Sequence, residues 1–257
     1  MTAEFDTILH PDINEILVYS DRQSAATAAA ESIIREVNKN PKVAITFATG
    51  DTMIPVYSEL AKAVVQRRVD FSRVTALHLD EYYPYASNRQ HSFVKFLRER
   101  AFDPLMIPVS NRFTLDGTAI NPQIAARKYD EIVRKYSDRI SLLGIGPGKH
   151  IGFNEAGTSF ESRTHLQVLS EETIRRDQVE RNQDTPGTAL TQGIGTILES
   201  KKLILVAFGE MKGNLLRESL YEPITEKSPA SAIRLFNKEV TIIVDSDAGK
   251  RIQLQSS

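Results

Sequence analysis

Short runs of β-branched and aliphatic residues recur along this chain, separated by longer stretches with helical spacing, and that alternation limits the folds open to it. "EILVYS" (15–20), "VAITFA" (43–48), "VTALHL" (74–79), "ISLLGIG" (140–146), "KLILVAFG" (202–209) and "VTIIVD" (240–245) read as strands. Between them, residues 21–39 read as a helix opened by an aspartate cap. Helical spacing also covers 53–67, "HSFVKFLRERAFDPL" (91–105), 122–137, "ALTQGIGTILES" (189–200) and "MKGNLLRESLY" (211–221). The expectation is an α/β fold: a Rossmann-like, doubly wound, mostly parallel sheet with helices on both faces. Near-continuous apolar strands suit burial on both sides. No repeat, low-complexity tract or Pro/Ser-rich linker divides the chain, so a single domain over residues 1–257 is the simplest reading.

Charge narrows the partners. With 32 Lys and Arg against 33 Asp and Glu, the formal net charge is −1. That argues against a nucleic acid or an anionic membrane surface as partner. The absence of cysteine removes disulfides, thiolate chemistry and cysteine-ligated metals. No apolar stretch approaches twenty residues and no signal-peptide pattern opens the chain, so a cytoplasmic location is expected.

Open α/β sheets bind ligands beyond the carboxyl ends of their strands. Four strands here end in chemically loaded residues: "TGDT" (49–52), "DEYY" (80–83), "GIGPGKH" (144–150) and "GEMK" (209–212). Parallel strands would bring all four loops to one rim. Thr49, Gly50 and Thr52 would present amides and hydroxyls at a helix start, a setting that suits phosphate. Asp51 fits an anion site poorly unless it points outward or caps the helix. Successive residues of an extended chain face opposite sides, so only one of Asp80 and Glu81 can face the site directly. Asp80, continuing the strand at the rim, is the candidate general base. His150 follows a glycine-rich turn, and Glu155 could reach back to it to build an acid–base group that works near neutral pH. In "HIGFNE", Phe153 would anchor the segment while Asn154 and Glu155 face the cleft. Lys212, one turn into a helix, could pair with a phosphate held at the same rim. The other histidines, His10, His78, His91 and His165, read as solvated.

"FATGDT", "LHLDEYY", "LLGIGPGKHIGFNEAGTSFESRT", "ALTQGIGTIL", "FGEMK" and "SPASAIRLF" occur in the order and spacing of the glucosamine-6-phosphate deaminase/isomerase family. The chain resembles that family over nearly its whole length. The related 6-phosphogluconolactonases share the fold, but their loop resembles "GxDGHxASLFP" and lacks the Asn-Glu found here. The resemblance implies a small-molecule sugar-phosphate substrate: an amino-sugar phosphate is ring-opened, a proton moves between C2 and C1, and ammonia leaves. It implies no metal or organic cofactor. It makes Asp80 the proton-shuttling base, His150 the ring-opening acid–base and Glu155 its carboxylate partner. Thr49, Gly50, Thr52 and Lys212 would cradle the phosphate, and Glu81, Gly144 and Gly152 would touch the substrate. The oligomeric state stays open, a homo-oligomer included, because the family has both monomers and hexamers.

Three departures qualify the resemblance. The family loop reads Gly-x-Gly-x-Asp-Gly-His, whereas here Gly148 stands for the aspartate and Lys149 for the next glycine. A histidine with one carboxylate fewer and an ammonium beside it should lose basicity. Ring opening would then be slow, or the substrate would bind already open. In a lid-like segment at about 156–187, the family's Asn-x-Arg-Phe-Phe is replaced by "RRDQVERN". Arg176 is the arginine assigned to the phosphate, with Arg175 and Arg181 as alternatives. This stretch is closer to the galactosamine-6-phosphate isomerase branch. Finally, His165 and Gln167 replace basic residues used for allosteric activation, so no such site is expected. A sugar-phosphate sensor that had lost catalysis is the alternative outside enzymes.

Overall fold

The computed structural model describes residues 5–87, 89–181 and 185–254. In chain order it begins with strands β1 (Phe5–His10) and β2 (Ile13–Tyr19), helix α1 (Arg22–Lys39), β3 (Ala44–Phe47), α2 (Met53–Val65), β4 (Thr75–His78) and β5 (Asp80–Tyr83). Next come α3 (Phe93–Leu97), β6 (Arg112–Phe113), α4 (Pro122–Arg134), β7 (Ile140–Leu143), β8 (His165–Val168), α5 (Glu171–Arg181) and β9 (Thr188–Thr191). The chain closes with α6 (Ile194–Leu198), β10 (Lys202–Ala207), α7 (Glu210–Tyr221), β11 (Glu239–Asp245) and α8 (Ser246–Gln253).

Eight strands form one sheet in the order β1-β2-β11-β10-β7-β3-β4-β6. All its neighbours run parallel except β1, which pairs antiparallel with β2 at the edge. Every residue of β3, β7 and β10 is buried, as strands covered on both faces require. From β2 the chain crosses to β3 and moves outward to β4 and β6, then returns to β7 and travels the other way through β10 to β11. Right-handed crossovers made in opposite directions lie on opposite faces. That rule puts α1 and α2 on one face and α4 and α7 on the other. α1 packs on α2, and α7 on α8.

Local chemistry explains α1. Asp21 caps it by accepting a hydrogen bond from the Ser24 amide at 2.9 Å. Ala25, Ala26, Ala29, Ala30, Ile33, Ile34 and Val37 recur at helical spacing and form the buried face. Each buried isoleucine or valine on that face contributes roughly 1.5–3 kcal/mol of hydrophobic stabilisation. No helix among the described residues is long and apolar enough to cross a membrane.

The structure corrects several sequence expectations. Residues 189–200 are not one helix: Thr188–Thr191 is strand β9, and only Ile194–Leu198 is helical. β9 is the middle strand of a second, three-stranded antiparallel sheet, β5-β9-β8. Pairing on both sides overrides the local helical spacing. "DEYY", expected as a loop, is β5 of that sheet, so Asp80 does not continue β4. Leu79 is the joint: its amide bonds Phe47 O in the main sheet, and its carbonyl accepts from Gln192 beside the small one. The expected helix at 91–105 is α3 followed by a wider turn over Arg98–Phe102.

His78 is not solvated. Its side chain is fully buried in β4 and, among the described residues, its ring nitrogens have no hydrogen-bond partner. Burial pulls its pKa down to about 3, so the ring stays neutral in the folded protein. An unfolded chain binds a proton there below about 6.5 that the native state refuses until about 3. Stability should therefore fall as pH drops through that window from this group alone. We expect the urea midpoint of His78→Leu to fall less steeply than that of the unsubstituted protein between neutral pH and about 4. Parallel curves for the two proteins would show that His78 does not carry this acid sensitivity.

Candidate active site

A cavity of about 300 Å³ opens where the chain reverses direction between β3 and β7. Four strand-end loops line it: Thr49–Thr52 after β3, Leu79 and Asp80 after β4, Gly144–Pro147 after β7, and Phe208, Met211 and Lys212 after β10. This is the crevice that a doubly wound sheet leaves at its switch point. His150, Gly152 and Phe153 enter from the loop after β7, and Arg176 from α5. Of the residues picked out from sequence, Asp80, His150, Thr49, Gly50, Thr52, Gly144, Gly152, Lys212 and Arg176 all border this one space. Glu81 and Glu155 do not.

Asp80 and Glu81 separate as alternation demands. Asp80 opens β5 opposite Thr191 of β9. Glu81 turns away from the cavity, and its carboxylate accepts from Ser92 Oγ at 2.6 Å and from the amides of Phe93 at 3.0 Å and Val94 at 2.9 Å. It therefore caps α3 and does not line the cavity, against the expectation that it touches the substrate. Burial raises its pKa, outweighing those hydrogen bonds. Thr191 Oγ1 also accepts from the Phe153 amide at 3.1 Å, which ties the strand of Asp80 to the loop of His150.

That loop is shaped around the imidazole. A Cβ at Gly146 would fall 1.9 Å from His150 Nε2, so only glycine leaves room for the ring. Phe153 is buried and meets the His150 ring edge-on at 6.2 Å. Asn154, expected to face the cleft, is fully buried instead, and its Nδ2 donates to Ile151 O and Gln192 O, both at 2.8 Å. It staples the loop to the end of β9. Glu155 sits behind the histidine, with Oε2 3.8 Å from His150 Nδ1. Its Oε1 accepts from Thr173 Oγ1 at 2.7 Å and from the Ser170 amide at 3.3 Å. Burial alone would raise the Glu155 pKa. The neighbouring imidazole, Thr173 and Ser170 outweigh it and hold the carboxyl below its usual range.

The opposite end of the cavity has the character of an anion site. Thr49, Gly50 and Thr52 lead into the N-terminus of α2, where the helix dipole favours negative charge. Lys212 Nζ donates to Thr52 Oγ1 at 2.5 Å and joins the first turn of α7 to this loop. Asp51 does not cap α2; it is exposed, and its backbone carbonyl accepts from Arg22. Arg176 is steered by Asp177, which receives its Nη2 at 2.7 Å and also bonds the Tyr82 hydroxyl. Arg175 is exposed and absent from the cavity wall, and the side chain of Arg181 lies outside the described residues, as does part of the lid-like segment, 182–184. Sequence reading missed Arg22, a cavity residue whose signal is its place directly after the carboxyl end of β2. Among the described residues, no cluster of three or more histidines and carboxylates is arranged to hold a metal.

Comparison with known proteins gives this site its family. The sequence profile of glucosamine-6-phosphate isomerases/6-phosphogluconolactonase matches residues 20–242. The chain belongs to that family. It is 34% identical over 241 residues to the glucosamine-6-phosphate deaminase of Cellvibrio japonicus, covering 92% of this chain and 91% of that one. A solved monomeric glucosamine-6-phosphate deaminase superposes with a TM-score of 0.87 at 32% identity, over 92% of this chain and 99% of that one. The 6-phosphogluconolactonase from Trypanosoma cruzi shares the fold, with a TM-score of 0.74 at 18% identity, over 94% of this chain and 97% of that one.

Gly148 stands where the sequence resemblance leads one to expect an aspartate. Its backbone is left-handed, with φ 65°, and a Cβ there would meet only Glu155 Oε2, at 4.0 Å. The space beside the His150–Glu155 pair is thus open. Lys149 does not press on the histidine as its sequence position suggests. Its Nζ lies 3.0 Å from Glu218 on α7 and 3.8 Å from Glu222, the residue that ends that helix. A partly exposed pair of this kind is worth only about 0–1 kcal/mol, so its effect is to hold the ammonium against α7.

The Thr173–Glu155 hydrogen bond makes a testable link between α5 and the histidine. Thr173→Val should cost roughly 1–3 kcal/mol of stability at neutral pH, because a buried carboxylate loses a partner. The Glu155 pKa is depressed on folding, so this stabilisation is present above its ordinary 4.5 and is lost as pH falls through the folded value. Urea denaturation should show the gap between the two proteins closing in acid. A gap independent of pH would mean that the hydroxyl does not act through Glu155.

Proposed function

We propose that this protein is a glucosamine-6-phosphate deaminase, converting an amino-sugar phosphate and water to the ketose 6-phosphate and ammonia. The observation that carries the reading is that a carboxylate, Asp80, and a histidine backed by a carboxylate, His150, line the same cavity as an anion-binding rim. The deaminases at 32–34% identity support the substrate. The rim of Thr49, Gly50, Thr52 and Lys212 holds the phosphate and so places the far end of the sugar against the acid–base groups. His150 moves the proton of the anomeric hydroxyl to the ring oxygen and opens the ring. Asp80 takes the C2 proton of the open aldehyde and returns it to C1. The C2 amine becomes an imine, which adds water and expels ammonia. Arg176 closes over the substrate from α5.

A second reading rests on Gly148. With one carboxylate missing beside His150, the pocket could bind a sugar phosphate without turning it over. Ammonia release from glucosamine 6-phosphate and from galactosamine 6-phosphate, with the ketose assayed in parallel, separates the readings. Release from either sugar establishes the deaminase and chooses the C4 epimer. Silence with both, alongside calorimetric binding, supports the sensor. Asp80→Asn should lower kcat by at least roughly a hundredfold with little change in KM, since it removes the proton carrier and keeps the shape. Turnover that survives this change would place the base elsewhere.

A further inference from the structure

Resting on that reading, we propose that Arg22 is a phosphate-binding residue of this site, a guanidinium supplied by the rigid sheet rim where sequence comparison leads one to look in α5. Arg22 is the first residue of α1, directly beyond the carboxyl end of β2. It borders the cavity together with Thr49–Thr52 and Lys212. Its only hydrogen bond among the described residues runs from Nη2 to the Asp51 carbonyl, at 2.6 Å. Its guanidinium carbon stands 5.4 Å from the centre of the Phe208 ring, another cavity residue.

These two contacts decide what the side chain can do. One N–H grips the loop that presents Thr49 and Gly50, and the guanidinium lies over the Phe208 ring in a cation–π contact. A guanidinium carries five N–H donors in a planar fork. The remaining donors suit bidentate capture of phosphate oxygens. Holding Arg22 in advance reduces the side-chain entropy lost on binding.

The charges facing it are consistent with an anion between them. Lys212 reaches the same loop through Thr52. Arg176 approaches from α5, already engaged with the carboxylate of Asp177. The one acid in the loop, Asp51, turns its backbone carbonyl to Arg22 and is exposed. Arg22 and Lys212 thus bracket the start of α2 from α1 and α7. A phosphate there meets two cations and a helix N-terminus without any movement of α5.

Arg22→Gln and Arg22→Lys test this. With glucosamine 6-phosphate, Arg22→Gln should raise KM roughly ten- to a hundredfold, the value of a charge-assisted hydrogen bond, with kcat nearly unchanged. Arg22→Lys should fall between, keeping the charge and losing the fork. Inorganic phosphate, as a competitive inhibitor, should weaken by a similar factor. Should the unsubstituted protein release no ammonia, calorimetric titration with fructose 6-phosphate and inorganic phosphate decides the matter independently of catalysis. Weaker binding of both by Arg22→Gln supports the assignment. Equal binding by the variant, or no phosphate binding by the unsubstituted protein, overturns it.

Discussion

Between β3 and β7 the chain reverses its travel across a parallel sheet, and the site follows from that reversal. Two strands whose following loops leave in opposite directions cannot close the space above them. The loops after β3 and β7 therefore frame a cavity, and parallel strands bring the ends of β4 and β10 to the same edge. Burial of the central strands on both faces makes this edge rigid. The phosphate-type loop at Thr49–Thr52 and the glycine-rich loop before His150 are consequently fixed relative to each other before any ligand arrives.

Chemistry is then added to this frame by a second layer. The small sheet β5-β9-β8 carries Asp80 and, through Thr191, the start of the segment holding Asn154. Glu155 is the junction, one oxygen toward the histidine and the other gripped by the first turn of α5. α5 also brings Arg176 to the cavity, so one helix both lines the cavity and holds the carboxylate behind the histidine. Gly148 leaves the histidine with a single carboxylate neighbour on this side. Lys149 spends its charge on α7, so the imidazole does not face a bare ammonium.

The main sheet was legible because its strands are continuous apolar runs between helices with caps such as Asp21. Local patterning can state that much. Alternation correctly separated Asp80 from Glu81, since adjacent side chains of an extended chain must diverge. It could not say that Glu81 would cap α3, because that contact depends on Ser92 and on the path of the intervening turn. The small sheet was illegible for a similar reason: "DEYY" and "TALT" pair across more than a hundred residues, and "ALTQGIGTIL" has helical spacing on its own. Asn154 and Glu155 were placed at the cleft by proximity in sequence to His150, while a left-handed Gly152 turns the chain so that both go inward. Arg22 was passed over because an arginine after an N-cap aspartate looks like an ordinary solvated helix start. His78 was read as solvated because nothing in its immediate neighbours marks a polar ring in a central strand.

The central claim is that one cavity joins an anion grip to a proton-transferring carboxylate. The measurement that tests it most directly is a crystal structure with 2-amino-2-deoxyglucitol 6-phosphate, an open-chain analogue that cannot react. The account predicts its phosphate on the Thr49–Thr52 loop beside Lys212 and its C2 within reach of an Asp80 oxygen. An analogue bound with its phosphate elsewhere, or with C2 turned from Asp80, would contradict it.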